Sequence, residues 1–172
     1  LVFDDADIDA AVSGAMIAKM RNGGEACTAA NRFYVHDKVY EEFSKKFSTA
    51  MSAMKVGPGL EEGVELGPMV NEWAIKDIDA LVQDAKTKGA EVLAGGAPLD
   101  KVGYYYPPTV LGNVSSDSKI LQEEVFGPVA PIVSFSNDDQ AIELANDTEY
   151  GLVSYLYTED SGRGLAISER LD

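Results

Sequence analysis

Asn31-Arg32-Phe33-Tyr34-Val35-His36 is a short β-prone run, and the period changes immediately after it. Val39, Tyr40, Phe43, Phe47, Ala50, Met51 and Met54 recur every three or four residues, the spacing of one buried helix face. A strand that feeds straight into a helix is half of a crossover unit, and the same pairing returns downstream. Residues 129–135 are the most apolar run of the chain, and Asn137 with Gln140 reads as a capping box for a helix over 141–145. Upstream, Asp7 caps a helix whose apolar positions are Ile8, Ala11, Val12, Ala15 and Met16, ending near Gly23. Another helix starts after Asn71, buries Ala74, Ile75, Ile78, Leu81, Val82 and Ala85, and stops at Gly89. Residues 91–94 form a brief strand closed by Gly95-Gly96, and 152–157 read as a last strand before a final helical pattern. The run 104–114 is extended, but Pro107-Pro108 confines it to a sheet edge or an irregular excursion. Strands separated by helices predict an α/β fold: a mainly parallel sheet with helices on both faces.

Size and charge narrow the function. At 172 residues and 45% hydrophobic content the chain can bury one core, and no repeat or linker divides it. The 14 basic and 29 acidic residues leave a net charge of −15, which repels nucleic acid and anionic membranes. No apolar run is long enough to span a bilayer. One cysteine and no disulfide framework point to a reducing cytoplasm. His36 has no second metal ligand at a useful spacing, so no metal is expected, and the residue reads as a surface or strand-end group. Gly57-Pro58-Gly59 with Gly63 follows a helix instead of a strand and is not a dinucleotide fingerprint. Asn113-Val114-Ser115 and Asn146-Asp147-Thr148 match a glycosylation triplet by chance.

The lone cysteine is the chemical signal. Cys27 lies in Gly23-Gly24-Glu25-Ala26-Cys27-Thr28, between an amphipathic helix and an apolar strand. A lone cysteine is more often an inert small hydrophobe. Small neighbours, however, let a substrate approach both the sulfur and the adjacent backbone N–H groups. The wider words are Arg21-Asn22-Gly23-Gly24-Glu25-Ala26-Cys27 continuing through Asn31-Arg32-Phe33-Tyr34-Val35, and Gln122-Glu123-Glu124-Val125-Phe126-Gly127-Pro128. With Phe3-Asp4-Asp5-Ala6-Asp7, Val56-Gly57-Pro58, Leu66-Gly67-Pro68 and Asn146-Asp147-Thr148-Glu149-Tyr150-Gly151, they occur in the order found in the aldehyde dehydrogenase superfamily. The chain resembles that superfamily over essentially its whole length. The Arg-Asn lead and the Ala-Asn-Arg-Phe-Tyr-Val exit resemble bacterial succinate-semialdehyde dehydrogenases most.

That resemblance implies specific roles. Cys27 is the nucleophile: its thiolate adds to an aldehyde carbonyl, the thiohemiacetal loses hydride to NAD or NADP, and a thioester remains. The Cys27 N–H helps hold the oxyanion. Glu124 binds the nicotinamide ribose hydroxyls, and Phe126 packs near the nicotinamide ring. Taken alone, Glu123 and Glu124 would be a solvated loop and Phe126 core filling. Arg21 clamps the free carboxylate of a semialdehyde, although a cation in the last turn of a helix also complements its dipole. In the family an asparagine and a water-activating glutamate complete the chemistry, and both belong upstream of Leu1. Residues 1–172 are therefore expected to be a thiol-bearing catalytic domain fragment, with the nucleotide-binding domain outside the chain and both ends incomplete. The full-length protein is expected to be a homo-oligomer acting on a small aldehyde, and the isolated chain to be inactive. Glu25 stands where many members carry glutamine, and Ala29 where some carry a second cysteine. A non-enzymatic α/β assembly or binding module on the same scaffold is the alternative, as is a dehydrogenase for other aldehydes.

Overall fold

A computed structural model describes residues 1–172. The elements run α1 (Ile8–Met20), β1 (Phe33–His36), α2 (Asp37–Ser52), α3 (Glu72–Thr87), β2 (Glu91–Ala94), β3 (Thr109–Gly112), β4 (Val129–Phe135), α4 (Asp138–Asn146) and α5 (Ser161–Ser168). In the sheet they order as β1-β4-β3-β2. Strand β4 is central and parallel to both neighbours, with Phe33 opposite Ile132 and Val110 opposite Ala130. Only β2 runs antiparallel, against β3. Beyond β1 the sheet continues through Val2, which bridges Val35 on one side and Tyr157 on the other, both in parallel.

Side-chain alternation along the strands assigns the two faces. Phe33 and Val35, Val110, and Ala130 and Ile132 point to one side, where they meet Ile8, Ala11 and Ala15 of α1 and Phe43, Phe47 and Met51 of α2. Leu111 and Val129 point to the other side, against Ile78, Leu81 and Val82 of α3. Tyr34 and Phe135 follow them there, covered by Ala141 and Ile142 of α4 and Ile167 of α5. Each fully buried side chain of this size contributes about 1.5–3 kcal/mol, so helices on both faces are the condition for burying both sets. The expected mainly parallel, doubly covered sheet is what forms.

The caps follow the sequence closely. Asp7 accepts from the Ala10 N–H, and Asn71 accepts from the Ala74 N–H. Asn137 accepts from the Gln140 N–H, while Gln140 reaches back to the Ser136 N–H, so the box closes one residue earlier than its usual form. Arg32 caps the other end of α4, donating to the carbonyls of Leu144, Ala145 and Asp147.

Three local expectations are corrected. Pro107-Pro108 do not put their segment at an edge: they lie just ahead of β3, which is interior between β4 and β2. The missing N–H groups fall where the ladder has not begun, and the first ladder donor is Thr109, to the Pro128 carbonyl at 2.8 Å. Residues 152–157 do not form a strand of their own. Only Tyr157 pairs, with Val2, and the other side of this segment has no partner to complete a ladder. His36 ends β1 as expected but is 5% exposed, its Nδ1 accepting from the Lys38 N–H and its ring edge-on to Phe135.

Candidate active site

The turn after α1 is built to present the thiol loop. Asn22, Gly23 and Gly24 take positive φ values of 50°, 64° and 80° in succession, which reverse the chain at the helix end. The Asn22 amide secures the reversal by donating to the Glu25 carbonyl at 2.8 Å. Gly24 is needed for space as well as for its backbone angles. A Cβ there would lie 2.2 Å from the Gly127 carbonyl oxygen and 3.2 Å from Lys19 Cε. The cysteine loop is thus packed directly against the segment 124–128, which the sequence singled out independently.

Cys27 emerges from this turn exposed, as a free thiol. Its N–H donates to no group of the chain, so it is open to a ligand. The next carbonyl, that of Thr28, is held by the Tyr155 hydroxyl at 3.0 Å. Glu25 turns aside: its carboxylate accepts from the Val70 N–H at 3.3 Å, a local tie to the segment before α3.

Cys27 opens onto a groove of about 830 Å³. One wall is Ala29, Ala30 and Asn31, another is Leu121, Glu123 and Glu124, and the floor is formed by 150–157. The groove is acidic. Glu149, Glu124 and Glu123 all raise the pKa of the Tyr150 phenol at its rim, Glu149 most. Its only lysine or arginine is Arg32, already committed to the α4 carbonyls. Glu124 has no hydrogen-bond or ion-pair partner, so both carboxylate oxygens are free.

The four residues singled out in the sequence are therefore not all in one place. Cys27 and Glu124 share the groove, whereas Arg21 and Phe126 are not part of its wall. Phe126 is 43% exposed, two residues after Glu124. Arg21 is the C-cap residue of α1, exposed, with no ion pair.

One residue was missed by sequence reasoning. Lys19, in the last turn of α1, is fully buried, and its Nζ donates to the Val125 carbonyl at 3.3 Å. Burial pushes its ammonium down to about 7, with the nearby Glu124 carboxylate opposing the shift. Position 19 continues the Val12, Ala15 and Met16 spacing of the buried face of α1, so its burial was signalled by the period and masked by the residue type. A lysine at a helix position with apolar-face spacing was the available signal, and its acceptor, 106 residues away, was not visible in the sequence.

The model of the aldehyde dehydrogenase family matches residues 1–172. Succinate-semialdehyde dehydrogenase of Paenarthrobacter nicotinovorans is 51% identical over the whole chain, which spans 38% of that protein. The 3-sulfolactaldehyde dehydrogenase of Pseudomonas putida is 48% identical, again over the whole chain and 35% of the relative. Among solved structures, an E. coli NADP-dependent enzyme superposes with a TM-score of 0.96 at 44% identity, over 99% of this chain and 35% of that one. The chain thus spans a little over a third of the relatives it matches.

Proposed function

The chain belongs to the aldehyde dehydrogenase family, and on that premise we propose that it is the thiol-bearing catalytic segment of a longer NAD(P)-dependent dehydrogenase that oxidises succinate semialdehyde. One observation carries the reading: an exposed thiol and an unpartnered carboxylate, Cys27 and Glu124, open onto the same groove. The Cys27 thiolate adds to the aldehyde carbon, and the free Cys27 N–H donates to the oxygen as it gains charge. Collapse of the thiohemiacetal releases hydride and leaves a thioester on Cys27. Water then cleaves the thioester, freeing succinate and the thiol.

A bound nicotinamide supplies the hydride acceptor. The residues here fit its near end: the two free oxygens of Glu124 can accept both ribose hydroxyls, and the partly exposed Phe126 is available to pack near the ring. The nicotinamide end is held by this segment, and the rest of the cofactor by the part of the enzyme outside it. Both relatives named above act on aldehydes that carry a second, anionic group. Arg21, with its free guanidinium six residues before the thiol, is the group to bind that anion.

The test is made in the longer enzyme. Cys27→Ser abolishes turnover. Arg21→Ala removes charge-assisted bonds worth roughly 1.5–3 kcal/mol, a loss of about 10- to 150-fold in kcat/KM toward succinate semialdehyde. An uncharged aldehyde of the same length loses little, and Arg21→Lys recovers only part, because an ammonium lacks the planar fork. Equal losses for charged and uncharged aldehydes reduce Arg21 to a structural cap and the substrate to aldehydes in general.

A further inference from the structure

Lys19 is costly where it lies. An ammonium has three donors, and here it is fully buried with a single bond, at 3.3 Å, to the Val125 carbonyl. An apolar side chain of the same length would fill the space without desolvating a charge. Helix α1 has no need of a cation at this position, since Arg21 already stands at its C-terminal end. The stability lost must be offset by what the bond does.

The bond joins the two halves of the proposed site. Lys19 belongs to the last turn of α1, from which the Gly23-Gly24 reversal leads to Cys27. Its acceptor, Val125, is the residue between Glu124 and Phe126. Gly24 closes over the side chain, leaving no room for a Cβ between Lys19 Cε and the Gly127 carbonyl. Stem and ammonium together are therefore a strut with one end under the thiol loop and the other on the main chain that carries Glu124.

We infer that Lys19 is a positioning residue which fixes Glu124 and Phe126 in register with Cys27, and so sets how the nicotinamide end of the cofactor is held over the thiol. The inference rests on the function proposed above. Lys19 touches neither substrate nor cofactor and acts through the Val125 carbonyl alone.

The experiment is steady-state kinetics of the longer enzyme carrying Lys19→Met, which keeps the stem and removes the charge. The expected result is a rise of about tenfold in KM for NAD(P), comparable to loss of one charge-assisted bond. The KM for the aldehyde stays within about twofold, because Arg21 and Cys27 are untouched. Combined with Glu124→Gln, the change adds little beyond Glu124→Gln alone, since both act on one contact. Lys19→Gln keeps an N–H donor without the charge; it gives an intermediate KM and carries the test if the methionine variant folds poorly. A merely structural lysine would lower the active fraction and leave both KM values unchanged. An unchanged cofactor KM in an active variant overturns the inference. Absence of cofactor-dependent turnover in the unmodified enzyme overturns the functional reading, and this inference with it.

Discussion

At the scale of single residues, the informative groups are those whose surroundings contradict their chemistry. Lys19 is one, and its cost has a pH signature. In the unfolded chain a lysine keeps its proton to about pH 10.4, whereas burial brings the folded value to about 7. Between those values the unfolded state binds more protons, so stability rises with pH across that window and is at its lowest below 7. Lys19→Met should therefore raise the melting temperature of the 172-residue chain most at about pH 6, with the gain shrinking toward about pH 10. Thermal melts followed by circular dichroism check this; a gain independent of pH would mean that the ammonium is not the cause. The exposure of Cys27 was legible from its small-residue loop, and its sharing of a groove with Glu124 was not. Lys19 was legible only by position: it keeps the apolar-face spacing of α1, but its residue type argues for solvent, and its partner Val125 is brought to it by the fold.

Elements were read from the sequence where periodicity and caps agree, and lost where pairing partners decide. The faces of α2 and α3 follow their apolar spacing, and their starts follow His36 and Asn71. Residues 152–157 have the composition of a strand, but composition does not supply a neighbour on both sides. Helix α5 shows how elements are joined once formed. Its Arg163 pairs with Asp138 at the start of α4 and with Asp4 and Asp5 before α1, and lies over the Phe3 ring at 4.4 Å. Hydrogen bonds from Arg163, then from Lys38, hold the Asp4 carboxyl well below the usual carboxylate range. A depressed carboxylate stabilises fully above its unfolded value of about 3.9 and loses that contribution as pH falls below it. The partly solvated setting of the pair moderates the effect. Arg163→Met should flatten the fall in melting temperature between about pH 5 and pH 2 while lowering stability at about pH 7. An unchanged acid limb would show that the network is silent.

For the molecule as a whole, the acidic balance and the groove pull in opposite directions. A charge of −15 keeps copies apart at low ionic strength. The groove floor exposes Leu152 at 67%, Tyr150 at 49% and Val153 at 46%, beside a backbone edge with no neighbour. Exposed edges of that kind pair with one another. The isolated chain should therefore be monomeric in dilute buffer and self-associate as salt screens the repulsion, which sedimentation velocity at about 20 and about 500 mM salt will resolve. A monomer at both would mean that the edge is protected. Val2 carries a last implication, for biosynthesis. Its two sheet partners are Val35 and Tyr157. A nascent chain therefore finishes one side of that strand early, and the other only after about 120 more residues have left the ribosome, an interval of about 6–24 s at roughly 5–20 residues per second. Through it the loop bearing Cys27 has its glycine turn but not yet the Tyr155 hydroxyl that ties it down. The proposed nucleophile is made near the beginning of this segment's translation and secured near its end.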